Sequence, residues 1–141
     1  METVNKSAIT VKTTVKAPVS KVWEFWNEPE HIKNWCFASD DWHAPHAEND
    51  LQVGKGFTTT MAARDGSMSF DFGGVYTSVI PQKEISYTMD DGRKVKITFT
   101  DMEGETKIEE TFDPESENSE EMQRSGWQAI LDNFKKYTEA N

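Results

Sequence analysis

The feature that most constrains this chain is a persistent two-residue alternation of apolar and polar side chains from residue 54 to residue 112. Such alternation predicts strands that bury one face and expose the other. Turn-forming pairs divide it into separate strands, and Asp-Gly is a strong hairpin signal. These pairs are Asp65-Gly66, Pro81-Gln82, Asp91-Gly92 and Glu103-Gly104. The sequence therefore predicts a meander of antiparallel strands.

One face of each predicted strand is apolar, and we expect these faces to form the concave side of a single sheet. The residues expected there are Phe57, Met61, Met68, Phe70, Phe72, Ile85, Tyr87, Met89, Val95, Ile97, Phe99, Ile108 and Phe112. Gly73 and Gly74 interrupt the longest run. Paired glycines in a strand are typical of a bulge or bend, which predicts a curved sheet.

The region before the meander contains one more strand and two short helices. Alternation from Ile9 to Val15 predicts the strand. Pro18 suits a first helical turn, and helical spacing of the next apolar residues predicts the first helix. A second helix is predicted from Pro29 to Trp35, with Asn27 as its N-cap. Residues 36–50 predict a loop and one irregular strand.

The chain ends in a long amphipathic helix, predicted from Asn118 to Tyr137. Asn118 and Glu121 have capping-box spacing. A helix of this length reaches roughly 30 Å, which is enough to cross a sheet. The order of elements therefore indicates one α+β domain over residues 1–141, with about seven strands, two short helices after strand one and one long C-terminal helix.

Charge and cysteine content exclude several classes of function. The formal net charge is −10, whereas nucleic-acid binding requires Lys and Arg to displace counterions. We therefore expect no nucleic-acid partner, and an anionic membrane is disfavoured for the same reason. A single cysteine, Cys36, fits a reducing cytoplasm. Residues 1–6 contain no apolar signal core, and no stretch approaches the ~18 apolar residues of a membrane span.

Several ordered motifs resemble a known family. They are APVSKVW at 17–23, PEHIKNW at 29–35, AENDLQVG at 47–54, FDFGGVY at 70–76 and GWQAILDNF at 126–134. Over essentially its whole length the chain resembles the START-like (SRPBCC, helix-grip) superfamily. Within it, the chain is most similar to small proteins resembling the C-terminal domain of the activator of the heat-shock-protein-90 ATPase.

This resemblance implies a helix-grip fold, in which a curved sheet wraps around the C-terminal helix. It implies less about activity, because the superfamily contains lipid carriers, hormone-binding proteins, aromatases and cyclases, and co-chaperone domains. The eukaryotic co-chaperone has an additional N-terminal domain, whereas strand one is expected to begin near Ala8 here. The resemblance also implies that a chaperone is a partner and that the protein has a role in the stress response.

The many large side chains on the concave face indicate that packing leaves a cavity in the core. Aromatic residues make up 11% of the chain, and flat side chains leave gaps unless smaller aliphatic ones fit between them. With the resemblance, this predicts a ligand cavity between sheet and helix; a fully packed core is the alternative. The expected lining is Trp42 (as a lid), Phe57, Met61, Met68, Phe70, Phe72, Ile85, Tyr87, Met89, Ile97, Phe99, Glu110, Phe112, Trp127, Ile130, Leu131 and Phe134.

Glu110 is the most informative polar residue for locating a binding or catalytic site. It shares strand parity with Ile108 and Phe112, so an unbroken strand points it inward, whereas a bulge turns it to solvent. A buried carboxylate is costly unless it is paired or protonated. An inward Glu110 would contact a ligand or transfer a proton, and Arg93 and Arg124 are candidate partners.

The remaining motifs give no further site. His43 and His46 have H-x-x-H spacing, but a catalytic zinc requires three protein ligands, and we interpret both as solvated loop residues. No histidine partner can be named for Cys36 as a nucleophile. Phosphate-binding glycine motifs do not occur in the sequence. We predict neither a metal nor a cofactor.

These observations predict a cytoplasmic protein that binds a hydrophobic small molecule, and they favour a non-enzymatic role. One alternative is an enzyme of the aromatase or cyclase type, in which Glu110, Tyr87 or Tyr76 moves protons on a bound substrate. The other alternative is an interaction module of the co-chaperone type, whose acidic surface docks a chaperone.

Overall fold

Seven antiparallel strands form one curved sheet in the computed structural model, which describes residues 8–141. They are β1 (Ile9–Val15), β2 (Trp42–Asn49), β3 (Gly56–Ala63), β4 (Ser69–Ile80), β5 (Glu84–Met89), β6 (Lys94–Asp101) and β7 (Thr106–Phe112). Their order across the sheet is β1-β7-β6-β5-β4-β3-β2. The predicted antiparallel meander is confirmed, and β1 forms the edge beside β7. Residues 1–7, where no apolar signal core was found, lie outside the described residues.

Each predicted turn joins two neighbouring strands. Between β5 and β6, Gly92 has a φ of +93°, a backbone conformation that favours glycine. Asp91 accepts the backbone N–H of Arg93 at 3.1 Å in the same turn. The predicted irregular strand is β2, whose register with β3 shifts between His43 and His46.

Gly73 and Gly74 lie in β4 without the bulge that the sequence predicted there. Both pair in register with β3, and the irregularity of β4 lies between Tyr76 and Ser78 instead. A Cβ atom on Gly74 would come within 2.6 Å of the Thr88 carbonyl oxygen. The position therefore requires glycine because the backbones approach closely, not because the strand bulges.

Two short helices follow β1 as predicted, namely α1 (Val19–Asn27) and α2 (Pro29–Ile32). α2 is shorter than predicted, because it ends at Ile32 rather than at Trp35. The prediction that Asn27 caps α2 is wrong. Asn27 is the last residue of α1, and its Nδ2 donates to the Trp23 carbonyl oxygen at 2.9 Å. Glu28 occupies the N-cap of α2 without a side-chain hydrogen bond.

The long C-terminal helix is α3 (Glu120–Ala140). Its N-cap is Ser119, whose Oγ accepts the Met122 N–H at 3.1 Å. The predicted capping box of Asn118 and Glu121 is therefore wrong. Among residues 8–141, no helix combines the length and the apolar character needed to cross a membrane.

α3 packs against the concave side of the sheet, where Leu131 and Phe134 are wholly buried. The Phe134 ring lies 4.9 Å, centroid to centroid, from both Trp26 and Trp35. This aromatic cluster joins α3 to the α1–α2 region. The result is the predicted α+β helix-grip architecture.

Candidate functional site

A pocket of about 230 Å³ lies between the concave face of the sheet, α3 and the α1–α2 region. Aromatic and aliphatic side chains dominate its wall. The wall residues are Trp26, Asn27, Ile32, Trp35, Cys36, Asn49, Phe57, Thr59, Met61, Phe70, Phe72, Tyr76, Ile85, Tyr87, Met89, Arg93, Ile97, Glu110, Trp127 and Ile130. Trp127 stacks on Phe112 with ring centroids 3.9 Å apart, and Phe57 meets Tyr87 edge to face at 4.8 Å.

Many residues predicted to contact a ligand come together at this pocket. Those on its wall are Phe57, Met61, Phe70, Phe72, Ile85, Tyr87, Met89, Ile97, Glu110, Trp127 and Ile130. The strand residues share the wall because alternate side chains of a strand point to the same face. Trp127 and Ile130 share it because residues three apart lie on the same side of a helix.

Other predicted residues lie away from the wall. Phe99, Phe112, Leu131 and Phe134 are buried in the surrounding core. The inward position predicted for Met68 is not observed, because its side chain is 62% exposed. Met68 precedes β4 in the turn after β3, where strand parity no longer determines direction.

Trp42 and Phe70 meet at the edge of the pocket. Trp42, predicted as a lid, begins β2 and contacts the Phe70 ring edge to face at 5.8 Å. Phe70 borders the pocket and is 50% exposed. It therefore marks a place where the pocket meets solvent, with Trp42 beside it.

The sequence analysis missed the pocket residues that the α1–α2 region supplies. Trp26, Ile32 and Cys36 are among them. Helical spacing predicted buried side chains here, but which space they face depends on how two short helices dock on the sheet. Thr59 also lines the pocket, and its shared parity with Phe57 could have identified it.

Glu110 lies in β7 with its side chain on the concave face. β7 pairs in unbroken register on both sides, with Glu110 opposite Val11 of β1 and Ile97 of β6. Glu110 is 7% exposed and borders the pocket. Within residues 8–141, no group forms a hydrogen bond or ion pair with its carboxyl group. The outward alternative for this side chain is therefore not observed.

Burial changes the proton affinity of the groups around Glu110. Desolvation raises the pKa of the Glu110 carboxyl to about 8, so the neutral acid predominates at pH 7. Burial, and then the Glu110 charge, raises the pKa of the Cys36 thiol to about 12. The same two causes, in the same order, raise the pKa of the Tyr87 hydroxyl well above its usual value. The groups at this part of the pocket are therefore predominantly protonated at neutral pH.

Neither arginine considered as a partner of Glu110 forms an ion pair with it. Arg93 borders the pocket, but its Nε donates to the Asp91 carboxylate at 2.8 Å. Arg124 is exposed on α3. Positive charge therefore remains at the edge of the pocket, held by the turn between β5 and β6.

A second polar group borders the pocket near the end of α1. The Tyr76 hydroxyl donates to Asn49 Oδ1 at 2.5 Å, and Asn49 Nδ2 donates to the Asn27 carbonyl oxygen at 2.8 Å. Tyr76 and Asn49 therefore have hydrogen-bond partners within the protein, whereas Glu110 has none among residues 8–141. Their hydrogen bonds connect the end of α1 to the sheet.

The prediction that His43 and His46 are loop residues is wrong, because both lie on the edge strand β2. His46 Nε2 is 2.6 Å from the Glu48 carboxylate in an exposed pair. In the part of the chain that the structure describes, no three potential ligands are grouped so as to hold a metal ion.

Comparison with known proteins identifies one family. The model of the family described as "Activator of Hsp90 ATPase homolog 1-like protein" matches residues 16–139. A comparison with curated proteins found no match.

Solved structures share the fold, and two also share much of the sequence. The AHSA1-like protein from Aeromonas hydrophila is 42% identical with a TM-score of 0.86, over 94% of this chain and 93% of that one. A protein from Cytophaga hutchinsonii is 60% identical with a TM-score of 0.81, over 95% of this chain and 93% of that one. A protein from Chromobacterium violaceum, 20% identical with a TM-score of 0.85 over 96% of this chain and 100% of that one, is similar in fold alone.

Proposed function

This chain belongs to the activator of Hsp90 ATPase homolog 1-like family, and from that premise we propose that it binds a small hydrophobic molecule between the sheet and α3. The observation that carries the proposal is a pocket of about 230 Å³ with a mainly aromatic and aliphatic wall. Small-molecule sites are typically concave and mostly apolar, with a few polar groups that orient the ligand.

The size and surface of the pocket suit a molecule of one or two rings. An apolar cavity of about 150 Å³ is sufficient to bind benzene, and this pocket is larger. Phe72 and Trp127 meet at 5.9 Å, nearly perpendicular, and present flat apolar surface. Met61 and Met89 add unbranched side chains that adapt to ligands of different shape.

Native mass spectrometry of freshly purified protein tests the proposal. We expect a bound small molecule in the wild type and its loss in Ile130→Trp, because the larger side chain fills the pocket that Ile130 borders. Met122→Trp is the matched control, since Met122 is 62% exposed on the same helix. A bare polypeptide mass in the wild type, together with no saturable binding of a bicyclic hydrocarbon such as indane, would contradict the proposal.

The family description favours a second function, which is contact with the Hsp90 chaperone. The net charge of −10 gives this chain an acidic surface for such a contact. The test is the ATPase rate of purified Hsp90 with and without this protein. Stimulation supports a co-chaperone function, and an unchanged rate without nucleotide-dependent association removes it.

Glu110 and Tyr87 support the enzyme alternative, because proton transfer on a substrate needs at least two polar groups at the bound molecule. Both border the same pocket. Conversion of a co-purified molecule that stops in Glu110→Gln would support an enzyme. Recovery of that molecule unchanged after prolonged incubation would contradict it.

A further inference from the structure

Glu110 places a carboxyl group without a partner, among residues 8–141, against a largely apolar pocket. Its neighbours across the sheet are the apolar residues Val11 and Ile97. A buried polar group left unsatisfied destabilises a fold. A buried carboxyl group that borders the pocket and has no partner among the described residues indicates that a bound molecule supplies the hydrogen-bond partner.

The Tyr87 hydroxyl is a second group of this kind. Tyr87 is 4% exposed on β5, and its hydroxyl has no hydrogen bond within the described residues. Tyr87 on β5 lies opposite Val95 on β6, and Val95 lies opposite Phe112 on β7. Phe112 is two residues from Glu110 and on the same face of β7. The charge of an ionised Glu110 raises the pKa of the Tyr87 hydroxyl, so the two groups lie near each other on the pocket wall.

The titratable and charged groups that face this part of the pocket come from several elements. Cys36 follows α2, Tyr76 lies on β4, Tyr87 on β5 and Arg93 in the turn before β6. The facing side chains of β1, β6 and α3 are apolar. Of these titratable groups, Glu110 and Tyr87 combine near-complete burial with an O–H donor that has no hydrogen-bond partner among residues 8–141.

We propose that the ligand carries a neutral hydrogen-bond acceptor, such as a ketone or ester carbonyl oxygen, which accepts hydrogen bonds from the Glu110 carboxylic acid and the Tyr87 hydroxyl. The inference rests on the proposed function, because it names the class of molecule that the pocket takes. A protonated carboxyl and a phenol each donate one O–H. A site built around buried donors rejects an analogue that lacks the acceptor, because the donors are then left unpaired.

A cationic amine is the competing ligand, because an ionised Glu110 would attract one. Such a pair requires two charges to leave water, and their attraction repays that cost only with good geometry and further hydrogen bonds. Arg93 already places positive charge at the edge of the pocket. A neutral acceptor brings no charge into the pocket at all.

Three probes with one ring frame test the inference by isothermal calorimetry at pH 7, namely indane, 1-indanone and 1-aminoindane. We expect 1-indanone to bind about ten-fold more tightly than indane, as the net gain from hydrogen bonding predicts, and more tightly than 1-aminoindane. Binding of indane without a preference for 1-indanone overturns this inference and leaves the proposed function standing. Absence of binding by indane and 1-indanone contradicts the proposed function itself.

Variants assign the preference to named groups. Glu110→Gln keeps a donor and should retain the preference for 1-indanone, whereas Glu110→Leu and Tyr87→Phe should lose most of it. Glu109→Gln is the matched control, because Glu109 is adjacent on β7 and faces away from the pocket. An unchanged preference in both Glu110→Leu and Tyr87→Phe overturns the inference.

The pH profile separates a neutral acceptor from an amine. Burial raises the pKa of Cys36, Tyr76 and Tyr87, so these groups stay protonated below pH 9 while Glu110 loses its proton near pH 8. The affinity of the wild type for 1-indanone should fall up to roughly ten-fold per pH unit above about pH 8, and that of Glu110→Gln should stay constant. A pH-independent affinity of the wild type for 1-indanone overturns the inference, as does tighter binding of 1-aminoindane than of 1-indanone at pH 7.

Discussion

Glu110 is a single residue whose burial bears on both the proposed ligand binding and the stability of the fold. Its place on the concave face followed from strand parity alone, because β7 is unbroken. Its lack of a partner among residues 8–141 could not be predicted. Arg93 was a candidate in the sequence, but the geometry of the turn between β5 and β6 directs it to Asp91 instead.

Replacing Glu110 with Gln is expected to stabilise the protein at neutral and alkaline pH. The pKa of Glu110 rises from 4.5 to about 8 on folding, so the folded state binds this proton more tightly than the unfolded state. The free energy of unfolding therefore falls as the pH rises from 4.5 to 8, by at most about 1.4 kcal/mol per pH unit. Urea unfolding at pH 5, 7 and 8.5 should show a difference between variant and wild type that grows with pH.

Glu109→Gln provides the control for this experiment, because the Glu109 side chain is 41% exposed beside Lys107. Its pH profile of stability should match that of the wild type. A difference between Glu110→Gln and the wild type that is equal at all three pH values would show that Glu110 is not a neutral acid in the fold.

Cys36 is expected to be unreactive while the protein is folded. It is 5% exposed, and burial raises the pKa of its thiol to about 12, so almost none of the nucleophilic thiolate is present at pH 8. Labelling with iodoacetamide at pH 8, followed by mass spectrometry, should show modification only after denaturation. Rapid labelling of the native protein would contradict the buried position of Cys36.

Among the elements, strands were predicted more accurately than helix ends. Period-two alternation identified the strands because one face of each must be buried. The N-caps were wrong because neighbouring residues compete for that role. Asn118 and Ser119 are both favoured cap residues, and only Ser119 has its side-chain oxygen at the Met122 N–H.

Gly74→Ala is expected to destabilise the sheet. A Cβ at this position would meet the Thr88 carbonyl oxygen at 2.6 Å and Tyr87 Cδ1 at 2.9 Å, and overpacking of this kind costs about 1–3 kcal/mol. Gly126→Ala is the control, since an added Cβ in α3 would meet nothing within 4 Å apart from its chain neighbours and the helix's own backbone. It should stabilise the protein by up to about 1 kcal/mol. Chemical denaturation should give a lower free energy of unfolding for Gly74→Ala than for the wild type and a higher one for Gly126→Ala. A Gly74→Ala variant as stable as the wild type would refute the close approach of the strands.

At the scale of the whole molecule, the helix-grip architecture followed from the order of the elements, from their periods and from the resemblance. The pocket could not be derived in the same way. Its volume depends on how large side chains such as Trp26 and Trp127 meet across three layers, and the sequence pattern specifies which face a residue takes but not the gap that remains. The docking of α1 and α2 was the missing information.

A ligand held between the sheet and α3 is tested most directly by titrating the protein with indane and following isotope-labelled isoleucine and methionine methyl groups by NMR. We expect saturable shifts at pocket residues such as Met61 and Ile85. The exposed methyl groups of Met68 and Met122 should not shift, and Ile130→Trp should abolish the response. Shifts that do not saturate, or that are as large at Met68 and Met122 as at Met61 and Ile85, would contradict a ligand held between the sheet and the helix.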